Sequence, residues 1–196
     1  MDVYFISYFI GENLKYFYTL DKKIRTPLDK LTKSGQITKQ DQLQMKSNGP
    51  ILPQFYGRLK LDNPNIPLRP IVSLPAKPTY NLSKKLFRKL NYLTESCDHS
   101  INSSIQFLEK IKNIKVEDKQ MMVSFDVIAL YTSISAKVAT ETMQQLLYSN
   151  ENIKTQCSSW IELIKLCLTT YFQFNTQICE QIKGTPMGLP ISGIIA

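Results

Sequence analysis

Apolar residues recur every three or four positions along most of this chain and every second position in a few short runs, a pattern of helices joined by hairpins. Ile24, Leu28 and Leu31 keep helical spacing, with Thr26-Pro27 as a helix start and Gly35 as a stop. Thr38 with Asp41 opens a second short helix, which the Ser-Asn-Gly-Pro run at 47–50 breaks. Phe55-Tyr56-Gly57-Arg58-Leu59-Lys60-Leu61 alternates, turns at Asp62-Asn63-Pro64-Asn65, and returns through Leu68-Arg69-Pro70-Ile71-Val72-Ser73. This predicted hairpin puts Arg58 and Lys60 on one face, with Leu59 and Leu61 on the other. From Tyr80 to about Cys97 the pattern predicts an amphipathic helix, with Leu82, Leu86, Leu90 and Leu93 inward and the lysines outward. A further helix from Ser100 carries Ile101, Ile105, Leu108 and Ile111. Met121-Met122-Val123-Ser124-Phe125-Asp126-Val127 predicts an apolar strand ending on an acid. Helices are expected over 136–149 and 157–170, and a hairpin from Tyr171 to Gln181 turning at Asn175-Thr176. The closing KGTPMGLPISGIIA is a Gly/Pro-rich loop running into an apolar segment.

Composition narrows the class. The chain has 196 residues, within the range of one domain, and a hydrophobic content of 43% that can fill a core. The formal net charge is +8, which suits an anionic partner such as nucleic acid or an acidic membrane surface. Between Arg58 and Lys89 eight cations (Arg58, Lys60, Arg69, Lys77, Lys84, Lys85, Arg88 and Lys89) face one acid, Asp62. That window is either a solvated basic face or a phosphate-facing surface. Cys97, Cys157, Cys167 and Cys179 are not spaced as zinc ligands, and His99 is the single histidine, so free thiols are expected. The start, MDVYFISYFIGE, has Asp2 where a signal peptide wants a cation, and no run is long and apolar enough to span a bilayer. The expectation is a soluble intracellular chain with no membrane partner.

Three segments carry chemistry. In SFDVIALYTSI, residues 124–134, a carboxylate on a buried apolar strand is costly unless something compensates it. A divalent cation such as Mg²⁺ would do so. The alternative is an acid that caps the following turn. In PQFYGRLKLDNPNIPLRPIVS, residues 53–73, cations on a rigid hairpin can grip a triphosphate, Arg69 best of all because its guanidinium can bind phosphate bidentately. The alternative is an edge hairpin whose lysines discourage pairing. In QIKGTPMGLPISGIIA, residues 181–196, Gly184 and Gly188 let the backbone approach another group closely. No Gly-Lys-Ser/Thr follows, so it is not a phosphate-binding P-loop, and Pro190 before Ser192 excludes a nucleophile elbow.

In their order, these segments resemble a reverse transcriptase, most closely those of Penelope-like retroelements. The resemblance rests on Tyr56-Gly57-Arg58-Leu59-Lys60 and Arg69-Pro70-Ile71-Val72-Ser73. It continues through Pro78-Thr79-Tyr80-Asn81-Leu82, Ser124-Phe125-Asp126-Val127 and Leu130-Tyr131-Thr132-Ser133-Ile134, and ends on Gln181-Ile182-Lys183-Gly184-Thr185-Pro186-Met187-Gly188. It implies an α+β right-hand polymerase fold, with residues 1–50 a helical extension, 51–120 the fingers and 121–196 part of the palm. The implied reaction is RNA-directed DNA synthesis on an RNA template and DNA primer with dNTP and two Mg²⁺ ions, in an expected nuclear location.

By the same resemblance Asp126, with Val127 beside it, matches the metal-binding position and is the catalytic aspartate. Tyr131 matches the gate under the incoming sugar. Arg69 and Lys60 match the triphosphate cations, and Gly188 the nucleotide pocket. Arg58, Lys84, Lys85, Arg88, Lys89, Gly184 and Met187 are the expected nucleic-acid contacts. The sequence departs from the family at Asp62-Asn63, at Ser135-Ala136, at Leu189, where a small serine is common, and at Gly193, where proline is common. No aspartate follows Asp126, so the family's Asp-Asp pair is missing from this stretch. An inactive enzyme fragment is therefore expected, or alternatively a non-catalytic nucleic-acid-binding remnant.

Overall fold

A computed structural model describes residues 15–46, 53–59, 61, 68–73, 78–95, 101, 103–127, 129–151, 153–175 and 177–195. Its organising element follows from the sequence CSSWIELIKLCL, in which apolar residues cover most of the helix circumference. Such a helix is stable only inside a core. The helix Cys157–Leu168 accordingly buries Trp160, Ile161, Leu163, Ile164, Cys167 and Leu168. Around it pack three helices with narrower apolar stripes: Lys15–Lys33, Pro78–Leu90 and Ala136–Tyr148. In chain order the α-helices are α1 (Lys15–Lys33), α2 (Lys39–Met45), α3 (Pro78–Leu90), α4 (Tyr92–Glu95), α5 (Ser104–Ile111), α6 (Leu130–Ser133), α7 (Ala136–Tyr148), α8 (Cys157–Leu168) and α9 (Ser192–Ile195). One 3₁₀ turn, Lys154–Gln156, leads into α8.

The first helix corrects the expected start at Thr26-Pro27. Pro27 lies inside α1, where the missing N–H weakens one turn. The helix continues because Leu20, Ile24, Leu28 and Leu31 are all buried on one stripe, and each contributes roughly 1.5–3 kcal/mol. The predicted stop is present. Gly35 adopts φ +74°, Gln36 N–H reaches the Leu31 carbonyl at 3.0 Å, and Gly35 N–H reaches that of Thr32 at 3.2 Å. Helix α2 then opens on a reciprocal capping box between Thr38 and Asp41.

Two antiparallel hairpins complete the described structure: β1 (Phe55–Leu59) with β2 (Leu68–Val72), and β3 (Thr170–Phe174) with β4 (Gln177–Gln181). Asn175 turns the second with φ +47°. Phe55 joins the two hairpins by stacking on Phe172 and meeting Phe174 edge-on. Gln173 N–H also donates to the Pro53 carbonyl at 2.7 Å. Beyond Phe55 the first hairpin stands in solvent. Leu59 and Leu61, expected on the face opposite Arg58 and Lys60, are both exposed, because among the described residues nothing forms a second layer over this two-stranded ribbon. Its turn at 62–65 lies outside the described residues.

The largest difference from expectation is residues 101–127. Helix α5 forms, capped by Ser103 accepting the Gln106 N–H, yet it contains no buried residue. Ile105 and Leu108, on the apolar spacing of this helix, face solvent. The predicted strand 121–127 is irregular and exposed along its whole length, with Phe125 92% exposed. A strand needs a neighbour to take its N–H and C=O groups. Among the described residues each sheet contains only its own two strands, so none is offered to this run. Among the described residues, no helix is long and apolar enough to cross a membrane.

Candidate functional site

Two of the predicted motifs meet. Ala129 takes a left-handed conformation with φ 57° and starts the one-turn helix α6. Its carbonyl accepts the Thr132 and Ser133 N–H groups at 3.0 and 3.1 Å, which closes the turn. This presents the Tyr131 and Ile134 carbonyls to the glycine-rich loop. Thr185 N–H donates to Tyr131 at 2.7 Å and Gly184 N–H to Ile134 at 3.1 Å. Gly184 has φ +79°, and a Cβ there would lie 2.6 Å from the Tyr131 carbonyl oxygen and 2.7 Å from Thr132 Cα. Only glycine fits this approach. Tyr131 itself is half-buried.

The far side of the loop is held by hydroxyls. Buried Thr185 and Ser192 share a 2.6 Å hydrogen bond, and Ser192 Oγ donates to the Pro186 carbonyl at 3.2 Å. Ser83, on the inner face of α3, accepts the Ile191 N–H at 2.9 Å. The loop is therefore clamped between α6 and α3. Leu189 is buried and fills core space that a small residue would leave empty. Met187 is half-buried, while Gly188 is exposed with φ +96° and open space where a Cβ would stand.

The basic helix divides in two. Lys84 and Arg88 are exposed, and among the described residues no carboxylate pairs with them. Lys85 and Lys89 lie one step round the helix and reach Asp41 of α2, at 3.2 and 3.4 Å. Burial pushes the Asp41 carboxyl up, but the Lys85 ammonium, the Thr38 backbone and hydroxyl, and Lys89 together outweigh it. Its pKa is lowered to about 2. Lys85 and Lys89, expected at a nucleic acid, are in this structure paired with Asp41. Sequence reasoning missed this because Asp41 lies well upstream of the basic window. Its only local signal was the capping position. Sequence reasoning also missed Ser83, Thr185 and Ser192, for which an isolated hydroxyl gives no signal.

The remaining predicted residues are dispersed. The hairpin register sets Arg58, which is exposed, opposite Arg69. The Arg69 side chain and all of Lys60 lie outside the described residues. Asp126 and Val127 sit on the exposed run, not on a buried strand. Two ions held about 3.5–4 Å apart need several carboxylates. Among the described residues, no group of three or more His, Cys, Asp and Glu side chains could hold a metal ion. As the described residues stand, Asp126 alone does not fit a two-ion centre. A groove of about 230 Å³ between α7 and α9, lined by Ile134, Val138, Met143 and Ile195 among others, contains none of the predicted site residues. Buried Cys157 and Cys167 have thiols that burial pushes up, which leaves them unreactive. No family model, no curated protein and no solved structure matches the chain.

Proposed function

We propose that this chain supplies the fingers and the first palm segment of an RNA-directed DNA polymerase of a retroelement, holding RNA template, DNA primer and incoming dNTP. The single observation that carries the reading is the docking of Gly184-Thr185 onto the Tyr131–Ile134 turn. These segments are distant in sequence, and the resemblance places Tyr131 under the incoming sugar and the Gly184–Gly188 loop beside the nascent base pair and template. In this reading the Tyr131 ring lies under the sugar and excludes a 2′-hydroxyl. Gly188 leaves room beside the nascent base pair. Arg69 and Lys60 grip the triphosphate, and the exposed cations of α3 hold nucleic-acid backbone.

Asp126 is one acid on an exposed run, and its environment favours a second reading for the chain taken by itself: a nucleic-acid-binding module without polymerase activity. Primer extension and binding separate the alternatives. The purified chain should retain an RNA–DNA hybrid at low salt, with affinity falling steeply as salt rises. It should show no extension with Mg²⁺ or Mn²⁺. Failure to bind the hybrid at any ionic strength would overturn the proposal. Extension that disappears in Asp126→Asn would overturn the non-catalytic reading instead.

A further inference from the structure

Helix α3 presents three different surfaces. Leu82, Ser83, Leu86 and Leu90 are buried in the core. Lys85 and Lys89 flank that core over α2, held by Asp41. The remaining outer surface carries Lys84, Phe87 and Arg88, at i, i+3 and i+4, which is one stripe of a helix. Phe87 is 37% exposed, and its ring atom Cε2 lies 3.8 Å from where a Cβ on Gly193 would stand. Glycine at 193 brings no side chain over the ring. A partly exposed aromatic ring lies one turn from Lys84 and next in sequence to Arg88, and these two cations have no carboxylate partner among the described residues.

We propose that Lys84, Phe87 and Arg88 form a contact for single-stranded nucleic acid, with a base stacked on Phe87 and adjacent phosphates on Lys84 and Arg88. The inference rests on the nucleic-acid-binding reading above and adds to it the strandedness and the residues. The charge of the chain, +8, favours a polyanion. The aromatic ring selects an unpaired strand, because duplex bases are already stacked inside the helix and cannot cover it. Stacking platforms flanked by cations are the usual means of holding single strands without sequence preference. Asp41 decides which cations take part. By binding Lys85 and Lys89 it offsets one of their two charges and holds both side chains over α2, so the uncompensated charge of α3 is largest on the stripe of Lys84 and Arg88.

Fluorescence anisotropy with labelled twelve-nucleotide dT and rU strands, across a salt series, tests this directly. Lys84→Gln with Arg88→Gln should reduce the slope of log affinity against log salt by about 1.4, the value for two single-strand phosphate contacts. Lys85→Gln with Lys89→Gln should leave that slope unchanged. Phe87→Leu keeps apolar bulk against Gly193. It should weaken single-strand binding about tenfold at every salt concentration and leave duplex binding untouched. A normal melting curve for each variant establishes that it is folded. Single-strand binding by Phe87→Leu equal to wild type overturns the proposal, as does an equal loss of slope in the two lysine-containing pairs. A wild-type chain that binds no oligonucleotide at low salt overturns the nucleic-acid reading itself, which distinguishes the two failures.

Discussion

Helix α8 and the stretch 101–127 are both rich in apolar residues, yet they end in opposite environments. In α8, Leu163, Ile164 and Cys167 are completely buried, with α1, α3 and α7 around them. In 101–127, Ile105, Leu108, Met121, Val123 and Phe125 all face solvent. The contrast separates two things that sequence patterning merges. An amphipathic helix can form on local signals, as α5 does with its Ser103 cap. Burial is different, because it needs a complementary surface from elsewhere. The core has such surfaces in the three helices around α8. The stretch 101–127 has no comparable surface among the described residues.

The sharpest way to break this comparison is to delete matched side chains on each side of it. Ile164→Ala in α8 should cost about 2–5 kcal/mol, read from the denaturant midpoint. Leu108→Ala in α5 should shift stability by less than about 0.5 kcal/mol. Equal costs would mean that 101–127 packs against something in solution.

Gly184→Ala tests whether the two motifs truly depend on each other. Left-handed backbone strain and the clash with the Tyr131 carbonyl should together cost about 2–4 kcal/mol. Amide exchange at Thr185 should accelerate at the same time, because its hydrogen bond to Tyr131 is lost. A neutral substitution would show that the loop is not docked there.

The Asp41 cluster gives a smaller effect with a defined pH signature. Its folded pKa of about 2 lies below the ordinary carboxylate value, so its stabilisation is complete above about pH 4. That contribution, on the order of 1–2 kcal/mol, should disappear as pH falls from about 4 to about 2. Asp41→Asn should remove that part of the pH dependence in thermal melts. An unchanged acid limb would mean that Lys85 and Lys89 are not bound to Asp41.

The smallest expected change in stability comes from Phe125→Ser, within about 0.5 kcal/mol of wild type. Its larger consequence lies elsewhere. An exposed apolar run with strong strand propensity invites association, so the substitution should reduce binding of a hydrophobic dye and self-association in light scattering.

Much of the secondary structure was legible in local pattern. The stop at Gly35, the capping pair Thr38 and Asp41, and the stripe Leu82, Leu86 and Leu90 each declare themselves within a few residues. The strands of the two hairpins follow in the same way from alternation. The candidate site was legible as motifs, but its assembly was not. That Gly184 must be glycine because the Tyr131 carbonyl lies 2.6 Å from its missing Cβ depends on two segments meeting.

By itself, the sequence determined what each segment can become: its helices and hairpins, the apolar stripes seeking cover, and the net charge of +8. Only the tertiary structure decided which of those demands were met. It left Asp126 exposed on a run that pairs with no strand among the described residues, brought Lys85 and Lys89 to Asp41, and left Lys84, Phe87 and Arg88 exposed. The physical reason is range. Propensity, capping and periodicity act over a few residues, whereas burial and ion pairing depend on which surface arrives from distant parts of the chain.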